Sequence, residues 1–170
     1  GEGHGLMGIV KADAYGHGAL QVAKSLAPHV GMFGVAGLGE ALKLKQAMGL
    51  QDRDVFLLGA VLQGERTAVV DHGLVIPVSG LEEAEALNAI ATEKKSLARI
   101  HVAIDTGMGR IGVGEGEFEA LLERLRTFDH LSVEGLVSHF PVADEDDMDI
   151  TLKQIARFRR ASERFRYHFP

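Results

Sequence analysis

Leu6-Met7-Gly8-Ile9-Val10-Lys11-Ala12-Asp13-Ala14-Tyr15-Gly16-His17-Gly18 is an apolar run that stops at a lysine, then a glycine-containing turn, then the start of a helical pattern. A run of this length bounded by glycine reads as a buried strand. That reading makes Lys11 the last residue of the strand, at its carboxyl end. In a parallel α/β sheet or barrel this is the edge where sites are built. Two accounts of Lys11 are open from the residues alone. Its stem can lie on apolar surface with the ammonium in water. Alternatively, its amine is partly desolvated, which disfavours the charged form and leaves a nucleophile able to form an imine with a carbonyl.

Outward from this stretch, strand-like and helix-like segments alternate to the end of the chain. Leu20, Ala23 and Leu26 keep helical spacing, and Pro28 closes that segment. Strands are predicted at Met32 to Ala36, Asp54 to Gly59 and Leu74 to Val78, with Pro77 marking the end of the last. Helices are predicted at Gly39 to Met48 and, with weak amphipathicity, at Gln63 to Asp71. Ser79 is expected to cap a helix with Leu81, Ala84, Leu87 and Ala91 on one face and Glu82, Glu83 and Glu85 at its positive end. Arg99 to Thr106 reads as a strand, and Glu115 to Arg126 as a helix with Phe118, Leu121, Leu122 and Leu125 on one stripe. Leu131 to Phe140 contains a further strand. Met148 to Phe169 reads as a long helix with Leu152, Ile155, Phe158 and Phe165 inward. Its arginines, Arg157, Arg159, Arg160, Arg164 and Arg166, are expected on a solvated face.

Such repetition with short connections implies a parallel sheet with right-handed crossovers. About six units are visible, where a closed (β/α) barrel of the TIM type needs eight and about 250 residues. An incomplete parallel barrel is therefore expected, with a doubly wound open sheet as the alternative by pattern. Gly107-Met108-Gly109-Arg110-Ile111-Gly112 has the letter spacing of a dinucleotide fingerprint, but no helix opens directly after it. Residues 1–170 read as one domain.

The 170 residues are 46% hydrophobic and 25% charged, with a formal net charge of -6, so nothing in the charge favours nucleic acid. The chain has no cysteine, which excludes disulfides and thiolate metal sites and fits a cytoplasmic location. No apolar stretch reaches the roughly 18 residues of a membrane span. His4, His17, His29, His72, His101, His130 and His168 show no ligand spacing, and no metal is expected. The acidic run Asp144-Glu145-Asp146-Asp147 suits the start of the last helix.

Two further strands end in unusual polar residues. One runs into Asp105-Thr106-Gly107-Met108-Gly109-Arg110 and the other into Ser138-His139-Phe140-Pro141. In a parallel barrel all carboxyl ends share one rim, so Lys11, Arg110 and His139 would converge there. An amine, a guanidinium and an imidazole suit an anionic, planar ligand bearing a carbonyl. Structural alternatives stand beside this: Arg110 pairing with Asp105, and His139 as a satisfied core histidine.

Val10-Lys11-Ala12-Asp13-Ala14-Tyr15-Gly16-His17-Gly18 closely resembles the pyridoxal-phosphate (PLP) lysine signature of the alanine racemases. Asp105-Thr106-Gly107-Met108-Gly109-Arg110-Ile111-Gly112 resembles their second signature, and Ser138-His139-Phe140 followed by Ala143-Asp144-Glu145 resembles a third. The resemblance runs from about Leu6 to Phe169. It implies PLP held covalently by Lys11, its phosphate contacted by Tyr15, its phenolic oxygen by Arg110 and its ring stacked on His139. It implies interconversion of L- and D-alanine by removal and return of the Cα proton, with Lys11 as one of two bases, in a cytoplasmic homodimer.

The pattern also departs from that family. Many members carry a carbamylated lysine two residues before the Asp of the second signature, where it braces the arginine; here Ala103 stands there. The family's opening strand-helix segment, later barrel strands and carboxyl-terminal β domain, with its catalytic tyrosine, have no counterpart in these residues. A partial sequence, inactive by itself, is the expectation. Tyr15 and Tyr167, the only tyrosines, do not match that base. Two rival readings follow: a non-catalytic PLP-binding barrel similar to the small PLP-homeostasis proteins, and a serine or broad-specificity racemase of the same fold.

Overall fold

A computed structural model describes residues 5–49 and 53–170. His4 lies outside the described residues. The chain divides into two compact units, Gly1–Ile76 and Pro77–Pro170. In the first, β1 (Met7–Ile9), β2 (Met32–Val35) and β3 (Asp54–Leu57) alternate with α1 (Ala19–Leu26) and α2 (Leu38–Met48). A 3-10 turn (Gln63–Glu65) and α3 (Arg66–Asp71) then lead into β4 (Val75–Val78), which crosses the boundary. The ladders are parallel, with Met7 opposite Met32, Met32 opposite Asp54 and Phe56 opposite Val75. In the second unit α4 (Leu81–Glu93), β5 (Ala98–Ala103), α5 (Glu115–Leu125), β6 (Leu131–Val137) and α6 (Asp149–His168) follow in order. Here β5 and β6 pair in parallel with a register shift between Ile100 and His101.

Six strands thus alternate with helices among the described residues, and each of these ladders is parallel. The reason lies in residue type. Strands covered on both faces need continuous apolar sequence. Phe33, Val55, Phe56, Leu57, Val75 and Ile76 in the first unit are all buried, as are Ile100 and Val102 in the second. The stripe predicted for α5 is buried throughout: Phe118, Leu121, Leu122 and Leu125.

The structure corrects the sequence reading at several points. β1 stops at Ile9, so Lys11 is not its last residue but opens the turn beyond it. Ser79 does not cap α4; Gly80 holds that position, and the Glu83 carboxylate instead accepts the Ser79 N–H at 3.2 Å. The buried face of α4 is Ala84, Leu87 and Ala91, with Leu81 turned outward. The inward face of α6 is more polar than expected. Thr151, Gln154, Ala161, Phe165 and His168 are buried, whereas Leu152 is 57% exposed. The acidic run does serve the start of α6, since Asp147 Oδ1 accepts the Asp149 N–H at 2.9 Å.

These placements separate two leucines of the same volume. Leu122→Ala opens a cavity in a packed core and is expected to lower the unfolding free energy by about 2–5 kcal/mol. Leu152→Ala is expected to change it by less than about 0.5 kcal/mol. Urea unfolding of both variants checks this, and equal losses would contradict the assigned face of α6.

Candidate active site

The Lys11 turn is the strained part of the first unit. Val10 extends the ladder by one residue, donating its N–H to Gly34 O at 2.9 Å, and is buried. Four consecutive non-glycine residues then adopt left-handed backbone: Ala12, Asp13, Ala14 and Tyr15, with φ between +50° and +57°. Left-handed helical conformation costs an L-residue about 1–2 kcal/mol. Glycines at 16 and 18, with φ of +86° and +89°, end the turn where no Cβ opposes it.

Hydrogen bonds over-determine this turn. The Glu40 carboxylate, from the first turn of α2, accepts the Ala12 N–H at 2.9 Å on Oε1 and the Ala36 N–H at 2.8 Å on Oε2. Asp13 Oδ1 accepts the Ala19 N–H at 2.7 Å, which supplies an acceptor at the start of α1. His17 Nδ1 donates to Ala14 O at 2.9 Å. The product is a lysine presented just past a strand end. Lys11 is half-buried, and its amine has no hydrogen-bond or ion-pair partner among the described residues. Tyr15 rides the same turn with its side chain 62% exposed. A mostly apolar cavity of about 390 Å³ lies beside the turn, lined by Val10, Leu20, Val35, Glu40, Lys43 and Leu44 among others. Lys11 does not line it.

In the second unit β5 leads into a loop built around Asp105. Its carboxylate accepts the N–H groups of Gly107, Met108 and Gly109 at 2.8, 2.9 and 3.0 Å. The N–H groups of Gly107 and Gly109 hold the Asp105 carboxyl below the usual carboxylate range; that of Met108 and the Arg157 charge add to this, and partial burial works against it. Asp105 therefore shapes the loop and does not pair with Arg110. Gly112 closes the loop with φ of +112°, where a Cβ would stand 2.4 Å from the Asp105 nitrogen. Ser79 Oγ accepts the Gly112 N–H at 3.1 Å. Arg110 is exposed in this loop, with no partner among the described residues. Ala103 is buried and offers no brace, so backbone capture by Asp105 and Ser79 sets the loop instead.

His139 follows β6 with its side chain exposed, so it is not a core histidine. The structure brings its turn onto the Arg110 loop: Thr106 Oγ1 and Ser138 Oγ lie 2.7 Å apart. Two residues of α6 reach the same place. Gln154 Nε2 donates to Thr106 Oγ1 and to His139 O, and Arg157 Nη1 donates to Thr106 O at 2.9 Å. Arg157 is thus not part of a merely solvated face. Among the other histidines, His130 Nδ1 donates to Ser96 O and His168 Nε2 meets Glu119 at 2.6 Å. No group of potential metal ligands occurs among the described residues.

The sequence reading missed Glu40, Gln154 and Arg157. Glu40 had one legible signal, an acidic residue in a helix first turn just after a strand. Gln154 had only its inward helical phase.

The family described as alanine racemase, N-terminal domain, matches residues 1–170. A curated alanine racemase of Geobacter sulfurreducens is 43% identical over 148 residues, covering 86% of this chain and 38% of that protein. One of Streptococcus uberis is 40% identical over 150 residues, covering 88% of this chain and 40% of that protein. The solved alanine racemase of Clostridium difficile superposes with a TM-score of 0.93 at 32% identity, over 99% of this chain and 44% of that one. The chain spans less than half the length of these relatives. The likeness shows the incomplete parallel barrel expected from the alternation.

Two consequences of the hydrogen bonding are measurable. Glu40→Gln leaves one oxygen for two N–H donors and turns an amide donor toward the other, and is expected to cost about 1–3 kcal/mol in urea unfolding; an unchanged midpoint would contradict the role of Glu40. A carboxyl held low in the folded state stabilises above its unfolded pKa, and that stability is lost as pH falls through the folded value. Asp105→Asn is therefore expected to unfold more readily than wild type at pH 7, with the gap closing below about pH 4. A gap independent of pH would contradict the backbone capture.

Proposed function

We propose that this chain, which belongs to the alanine racemase N-terminal domain family, supplies the cofactor-holding part and one proton-transfer group of a PLP-dependent racemase acting on alanine. The observation that carries this reading is the half-buried, unpartnered Lys11 amine on a strained turn just past β1. A half-buried amine bound by no carboxylate is suited to attack an aldehyde.

The donor set fits PLP. Lys11 offers an amine to the aldehyde, the exposed Tyr15 hydroxyl a hydrogen bond to the phosphate, and the unpartnered Arg110 guanidinium a planar donor to the phenolic oxygen. His139 offers an exposed imidazole to one face of the ring. Once bound, PLP spreads the charge that develops at the substrate Cα and so acidifies its proton.

With PLP and substrate bound, Lys11 Nζ would accept the Cα proton from one face and would return one to the same face in the reverse direction. Racemisation needs a second acid–base group on the opposite face. We assign this to neither Tyr15, given to the phosphate, nor Tyr167, which is 81% exposed on α6. As the resemblance implies, we expect it from a tyrosine of a carboxyl-terminal β domain, contributed by a second copy of the whole protein in a homodimer. Residues 1–170 act in this reading as the cofactor-binding barrel domain of a cytoplasmic enzyme. No described helix is long and apolar enough to cross a membrane.

Addition of PLP is expected to give a visible absorbance band near ~420 nm, typical of the cofactor bound through an imine. Borohydride reduction followed by peptide mapping should then place the label on Lys11, and Lys11→Ala should take no label. Equal labelling of Lys11→Ala would overturn the assignment. Comparing D-alanine with D-serine formation by the whole protein separates an alanine racemase from the broader alternative.

A further inference from the structure

We propose that Gln154 is a positioning residue that locks the Arg110 loop and the His139 turn together, so that the two are presented to the cofactor as one unit. This deepens the PLP reading above and rests on it for its functional meaning.

Gln154 is 1% exposed on α6. A buried amide is costly unless its polar atoms are bonded. Its Nε2 carries two hydrogens, and both have acceptors: Thr106 Oγ1 at 3.2 Å and His139 O at 3.1 Å. A backbone carbonyl can only accept, so His139 O fixes which end of the amide points at the turns. The acceptors belong to two different strand ends, β5 and β6. One side chain therefore spans both motifs.

The surroundings hold the shared residue from every side. Thr106 Oγ1 also meets Ser138 Oγ at 2.7 Å, and Thr106 O accepts from Arg157 Nη1 at 2.9 Å, one helical turn after Gln154. A Cβ at Gly107 would stand 2.9 Å from that guanidinium nitrogen, so glycine lets Arg157 approach. Asp105, on the other side of Thr106, gathers the next three N–H groups. Arg110 thus sits on a loop whose root is clamped by α6.

The amide is not there for core stability. Gln154 Oε1 is buried with no partner, as is Thr151 Oγ1 one turn earlier. An apolar side chain of similar length would remove the unpaired Oε1 at equal burial, but would leave His139 O without the Gln154 donor. What it would lose is the bridge.

The test uses Gln154→Met, which keeps length and burial but has no donor, and Thr106→Val, which removes the shared hydroxyl at constant shape. In cofactor-free protein, amide exchange at Gly107 to Arg110 and at His139 and Phe140 is expected to speed up together in both variants, with the Lys11 turn unchanged. PLP affinity should fall on the order of ten-fold, as for the loss of one or two hydrogen bonds, with a weaker visible circular dichroism band of the bound cofactor. In an Arg110→Ala background, Gln154→Met should add little further loss. Faster exchange at only one turn, or at neither, overturns the clamp. So does unchanged PLP affinity where wild type binds PLP. If wild type binds no PLP, the functional reading fails, while the exchange data still decide whether Gln154 couples the two turns.

Discussion

The Glu40 carboxylate, shared between the Ala12 and Ala36 N–H groups, is the interaction on which the presentation of Lys11 depends. A left-handed turn of four L-residues is unfavourable by about 1–2 kcal/mol each, and within Ala-Asp-Ala-Tyr only Asp13 offers a local side-chain acceptor against it. Charge-assisted hydrogen bonds to a carboxylate are among the stronger ones in a protein. Glu40 places two of them where the turn leaves the β1 end and where β2 finishes. Asp13 and the glycines at 16 and 18 complete the constraint from the other end. Strain held in this way is a familiar mark of functional sites.

The same physical device recurs in the second unit with different residues. There a carboxylate again collects backbone N–H groups just past a strand, and again the basic residue it presents is left without a partner. The acid shapes the backbone while the base stays available. That division of labour explains how Arg110 can be set with Ala103 in place of a brace. It also removes the alternative in which Arg110 and Asp105 merely pair. Helix α6 then adds what a single loop lacks, a rigid element that touches two turns at once.

Much of this was legible in the residues. The alternation of apolar runs with amphipathic stripes placed six strands and the α5 face correctly, because parallel strands buried on both faces and helices buried on one leave different periods. The three polar strand ends were visible for the same reason. What was not legible depended on tertiary partners. Nothing in Val10-Lys11-Ala12 shows that the strand ends early and turns left-handed, since the stabilising acid is far along the chain at Glu40. Ser79 looks like a cap, but its hydroxyl is taken by Gly112 instead. Leu152 fits an apolar stripe on paper, whereas the buried phase of α6 is set by Thr151 and Gln154, polar residues that a hydrophobicity pattern passes over. Arg157 looks like one more surface charge until the carbonyl of Thr106 is beside it.

The central proposal is that Lys11, Arg110 and His139 serve a single PLP molecule. A crystal structure of the whole protein grown with PLP tests it most directly. The account predicts continuous electron density from Lys11 Nζ to the aldehyde carbon, with the Arg110 guanidinium in hydrogen-bond range of the phenolic oxygen and the His139 ring against the pyridine. Density joining the cofactor to another lysine, or Arg110 and His139 both out of reach of it, would contradict the account.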